Sequence, residues 1–155
     1  MPIFGDLTLS ISLGLSFITI FLSVIYIYTN DKRFFFTSER TILSVCFLVF
    51  LSTFSLFSSL INSDFNVDYV ARYSSIETPI IYKFTAIWAG QSGSLLFWLF
   101  ILSAYVAIVV IQNKNKHQKL MPFVIITLSS IQLFFLILVN FVANKHDHAG
   151  ARLLA

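Results

Sequence analysis

Charged side chains are absent from four long stretches of this chain, at about 7–28, 41–61, 84–111 and 120–143. Each stretch reaches the roughly 20 apolar residues that a helix needs to cross about 30 Å of hydrocarbon. Lipid offers no partner for free backbone groups, so such segments must close their own hydrogen bonds as helices. The pattern predicts an all-α integral membrane protein, a single membrane domain with spans at about 7–28, 41–61, 92–111 and 122–143. A loop with a short helix fills 62–91, and a polar tail expected to be mobile occupies 144–155.

Within the spans the polar positions are ordered. Ser12, Ser16, Thr19 and Ser23 recur at helical spacing, and Ser52, Ser55 and Ser59 repeat the device. Small hydroxyl-bearing faces let membrane helices approach closely. They predict packing seams, with a polar conduit as the other reading. Gln132 and Asn140 are uncharged but costly in lipid and are expected to face protein.

The loop carries its own signals. Alternation in Phe65-Asn66-Val67-Asp68-Tyr69-Val70 suggests an extended piece. Glu77-Thr78-Pro79 reads as the start of a helix, with Thr78 as cap and Pro79 in the first turn. From there Ile80, Ile81, Phe84, Ile87 and Trp88 share one face, and Tyr82, Lys83 and Thr85 lie toward the other. This is the pattern of an amphipathic helix lying in the outer interface. It places Trp88 and Lys83 at the surface. Gly90 ends that helix, and Ser92 or Ser94 caps the third span. Trp98 lies roughly 9 Å into that span. It is expected to pack between helices, or to contact a flat aromatic ligand.

Charge adds direction. Of 155 residues, 10 are basic and 7 acidic. Lys32, Arg33 and Arg40 occupy segment 29–40, and Lys114, Lys116 and Lys119 occupy 112–121. Segment 62–83 balances Arg72 and Lys83 against Asp64, Asp68 and Glu77. By the positive-inside rule 29–40 and 112–121 face the cytoplasm, while both termini and 62–83 face outward. Basic residues at membrane edges need no nucleic acid to explain them. The N-terminus lacks the basic start of a cleaved signal. The single cysteine, Cys46, excludes an internal disulfide and any C-x-x-C chemistry; it reads as a small buried hydrophobe. His117 sits among lysines and reads as solvated. His146 and His148 flank Asp147 on the tail, which falls short of the three or four fixed ligands of a metal site.

Residues 64–98 resemble the heme-lyase family of cytochrome c-type biogenesis (the CcmF/NrfE type). The resemblance is carried by Asp64, Phe65, Val67, Tyr69, Val70 and Ala71, then Pro79, Tyr82, Lys83, Ala86 and Trp88, then Gly93, Ser94, Leu95, Leu96 and Trp98. It implies a multi-pass protein of the bacterial inner membrane that takes part in cytochrome c maturation. Family members receive haem from a periplasmic haem chaperone. They help join its vinyl groups to the C-x-x-C-H thiols of apocytochrome c, beside other maturation subunits. Haem is the family's cofactor.

The departures also carry information. Many members place His-Glu in the turn where this chain has Gln91-Ser92. The family's tryptophan-rich haem motif and its haem-ligating histidines lie further along a longer chain. Where the family continues Asn-Pro-Phe, Asn144 is followed here by Lys145-His146-Asp147-His148. The resemblance therefore implies the N-terminal portion of a haem lyase, truncated or split, that binds no stoichiometric haem alone. No catalytic residue is assigned. The alternatives are a small multi-pass transporter or a structural subunit of a membrane complex.

Overall fold

A computed structural model describes residues 2–75, 79–114 and 119–153, with the backbone alone at 2–4, 68, 84 and 142–153. The described residues are helices joined by turns. They are α1 (Pro2–Thr29), α2 (Lys32–Ile61), α3 (Asp68–Tyr73), α4 (Ile80–Thr85), a 3-10 turn (Ala86–Trp88), α5 (Gln91–Gln112) and α6 (Met121–Leu153). Four of them, at Gly5–Thr29, Lys32–Ile61, Gln91–Gln112 and Met121–Phe141, are long and apolar enough to cross a membrane. The chain is an all-helical, multi-pass membrane protein.

The long helices run alternately up and down. One end of the bundle carries the described residues of 62–90 and is called the loop end below. At the other end α1 turns directly into α2 through Asn30 and Asp31. Asn30 adopts φ 54°, and Asp31 caps α2 by accepting from Arg33 N at 3.0 Å. The segment 29–40, expected as a loop, is thus helical from Lys32. Likewise α6 continues past 143 to Leu153. Charge marks where the hydrocarbon ends, whereas caps decide where a helix ends.

The seams predicted from small residues are buried. Ser12, Ser16, Thr19 and Ser23 on α1 are buried, as are Ser52 and Ser59 on α2, while Ser55 is half-buried. Ser52 Oγ donates to the Gly5 carbonyl at 3.3 Å, so the two backbones approach closely. Ser55 and Ser59 also line a groove of about 300 Å³ with Ser58, Asn62 and Asp64. Between the helices lie two apolar layers. Leu9, Val45, Val49, Leu96, Leu99, Leu136 and Val139 pack nearer the loop end, and Phe35, Ile42, Cys46, Val106, Val110, Met121 and Ile125 nearer the other.

Gln132 faces protein as expected. It is wholly buried, and its amide donates to Ser103 Oγ at 2.9 Å and to Cys46 Sγ at 3.7 Å. Asn140 is half-buried and accepts from Ser10 Oγ at 3.4 Å. Glu39 falls within the segment 29–40, which was read as a loop. It lies instead inside the bundle on α2, with only 5% of its surface exposed.

Candidate functional site

The positions that carry the family resemblance converge at the loop end. The chain leaves α2 through Asn62 and Ser63, the latter at φ 52°. Asp64 then accepts from the Asn66 backbone and side-chain amides, at 3.3 and 2.9 Å. That turn opens α3, so Asp68–Tyr73 is helical rather than extended. Six residues of alternation are too few to outweigh an Asx turn.

From α3 the Tyr69 hydroxyl reaches the junction between the 3-10 turn and α5. It lies 2.9 Å from the carbonyls of both Ala86 and Ile87, between which its proton is shared, and accepts from Gly90 N at 3.1 Å. One phenol thus closes the end of one helical element and the start of the next. Burial raises the Tyr69 pKa above the ordinary tyrosine value.

Two glycines make room for this ring. A side chain at Gly90 would meet the Tyr69 and Tyr73 rings at 2.7 Å. A side chain at Gly93 would collide with the Tyr69 hydroxyl and the Ile87 carbonyl. Gly90 is the N-cap of α5, without a side-chain cap. The expected caps Ser92 and Ser94 fall inside the helix, and Ser94 Oγ instead donates to the Trp88 carbonyl at 3.3 Å. Trp88, half-exposed, packs edge-on against Phe97 with centroids 4.7 Å apart.

Pro79 opens α4, its carbonyl accepting from Tyr82 N and Lys83 N. Glu77 and Thr78, the rest of the predicted start signal, lie outside the described residues. The polar face of α4 differs from expectation at Lys83. Ile80, Ile81 and Tyr82 are exposed, whereas Lys83 is 7% exposed. Its ammonium donates to Ser63 Oγ at 2.6 Å and to the Ile61 carbonyl at 3.5 Å. Lys83 therefore closes the C-terminus of α2, where free carbonyls and the helix dipole favour a cation. Hydropathy alone cannot reveal this, because the partner is a helix end some 20 residues away in sequence.

Trp98 also departs from expectation. It is 59% exposed on the outside of α5 rather than packed between helices. Ser63 and Phe97 belong to the same assembly and were not singled out from the sequence, whereas Gly90 was named there as the end of the interfacial helix. Only Gly90 carried a local signal, as a helix breaker.

Replacing Tyr69 by Phe removes an oxygen that serves three backbone groups. The expected loss is about 1–3 kcal/mol, the cost of buried groups left without partners. Thermal unfolding in detergent measures it. Because the folded state raises the pKa of Tyr69, its stabilisation is present below the unfolded value, about 10, and is lost as pH rises through the folded value. Tyr69→Phe is expected to flatten the alkaline fall in unfolding temperature.

Axial haem ligands are histidine, cysteine, methionine or tyrosine. Cys46 and Met121 are buried in the helical core, and the Tyr69 hydroxyl is committed to backbone groups. His117, His146 and His148 lie outside the described side chains. No group of three or more metal-binding side chains occurs among the described residues.

No protein-family model matches the chain. The cytochrome c-type biogenesis protein CcmF of Escherichia coli is 26% identical over 148 residues, which is 93% of this chain and 22% of that protein. The probable cytochrome c-type biogenesis protein NrfE of the same organism is 32% identical over 106 residues, 68% of this chain and 16% of that one. CycK of Rhizobium meliloti is 33% identical over 101 residues, 64% of this chain and 15% of its own length. A solved structure titled cytochrome c heme lyase CcmF shares the fold with a TM-score of 0.79, covering 87% of this chain and 23% of that one at 24% identity. The chain is similar to cytochrome c-type biogenesis proteins of the CcmF, NrfE and CycK kind. It spans 22% or less of the length of these curated relatives. The CcmF-like positions Tyr69, Lys83, Trp88, Gly93 and Ser94 are brought together here as a brace of the loop end, and Tyr82 and Trp98 stand outside it.

Proposed function

We propose that this chain supplies the N-terminal four helices of a cytochrome c maturation haem lyase. The observation that carries the proposal is the CcmF likeness in both sequence and fold over nearly the whole chain. On this reading the chain lies in the bacterial inner membrane with the loop end and both termini at the periplasmic face. There the braced loop supports haem transfer from a haem chaperone and its covalent attachment to apocytochrome c. The haem-holding residues lie in sequence beyond these 155 residues, as a continuation or a split partner.

The outer stripe of α5 supports this. Trp98 and Tyr105 are both about 60% exposed, and neither finds a hydrogen-bond partner among the described residues. An indole N–H and a phenol O–H at hydrocarbon depth suit a face covered by further membrane helices, not one left to lipid.

A chimera tests the proposal. Residues 1–144 would replace the matching part of Escherichia coli CcmF in a strain lacking its own copy. The expected result is covalent haem on its c-type cytochromes. A chimera that accumulates in the membrane at the parental level and yields none overturns the reading.

A further inference from the structure

Hydroxyls on membrane helices ordinarily donate to a carbonyl one turn back. Ser12, Ser16 and Thr19 do so on α1, at 2.7–2.9 Å. Thr127 and Ser130 do so on α6. Ser23 and Ser129 do not. Both are enclosed, at 0% and 1% exposure, and neither hydroxyl has a partner among the described residues. The Oε1 atom of Glu39 is in the same state.

These three groups sit on three helices at one level of the bundle. The ring contact of Tyr26 with Phe35 sets α1 against α2. Ser23 lies about 4.5 Å from that contact along α1 and Glu39 about 6 Å along α2, both toward the loop end. The Ser10–Asn140 hydrogen bond sets α1 against α6. From it Ser23 lies about 20 Å along α1 and Ser129 about 17 Å along α6, in the same direction. All three side chains are buried, so they point into the protein.

A buried polar atom without a partner calls for water or an ion. A carboxyl group and two hydroxyls provide the two to four partners that an enclosed water needs. The carboxyl group and two hydroxyls supply at most four oxygens, fewer than the six to eight ligands calcium takes or the six of magnesium. We propose that Glu39, Ser23 and Ser129 hold one buried water molecule between α1, α2 and α6. Lys114, at the end of α5, is the charged group that acts on Glu39 from outside. The water ties three helices together at the end opposite the Tyr69 brace.

A structure of the protein in lipid nanodiscs, at a resolution that shows waters, is expected to place density within hydrogen-bond reach of all three groups. In detergent, Ser23→Ala and Ser129→Ala are each expected to lower the unfolding midpoint. The double variant is expected to fall by less than the two single losses combined, since one water serves both. Direct hydrogen bonds among the three side chains with no density, or strictly additive losses, overturn the proposal. So does a midpoint that rises with sodium against choline in the wild type but not in Glu39→Gln, which makes the occupant a cation.

Discussion

Gly93→Ala is expected to be the most damaging single-methyl change in the chain. The added carbon would collide with the Tyr69 hydroxyl and with the Ile87 carbonyl. The hydroxyl could swing away only by leaving the Ala86 carbonyl and Gly90 N. The carbonyl belongs to the backbone and cannot move without displacing the 3-10 turn. Overpacking of a tight site costs about 1–3 kcal/mol, and the lost Tyr69 hydrogen bonds add to it. Unfolding in detergent should show the loss directly. Because one of the two obstacles is the hydroxyl itself, Gly93→Ala combined with Tyr69→Phe should lose less than the two changes separately. A double variant that loses their full sum would show that the two residues do not share this contact.

The brace explains which features of the chain were legible beforehand. Four spans followed from runs without charge, because hydrocarbon imposes the same demand on every residue of a crossing helix. The hydroxyl seams on α1 and α2 followed from helical spacing. Helix ends were less legible, since α2 begins at Lys32 inside a charged segment and Asp31 does the capping. Glu39, not singled out from the sequence, lies in that same segment and is buried on α2. The loop end was read least well. Tyr69, Lys83 and Gly93 had no task assigned from the sequence, and their tasks depend on partners 17 to 22 residues distant or on a clash visible only in three dimensions. Trp98 was assigned to the interior by its size and depth, and neither property fixes the rotational setting of α5.

Lys83→Met is expected to loosen the junction of α2 with the loop. Methionine keeps the length and apolar body of the stem and removes only the ammonium. The Ser63 hydroxyl then loses its 2.6 Å partner, and the Ile61 carbonyl loses a cation at the negative end of a 30-residue helix. A hydrogen bond to a charged group contributes about 1.5–3 kcal/mol, and the stranded carbonyl adds to the loss. Ser63→Ala should cost less, because the ammonium retains the carbonyl and can take a water. The pair should be non-additive, with Ser63→Ala nearly silent once Lys83 is methionine. Unfolding midpoints of the four proteins test this. Equal losses from Ser63→Ala with and without the lysine would mean that Lys83 reaches solvent and does not close α2. On the haem-lyase reading both variants also weaken covalent haem attachment, through a displaced loop end rather than through any group that touches haem.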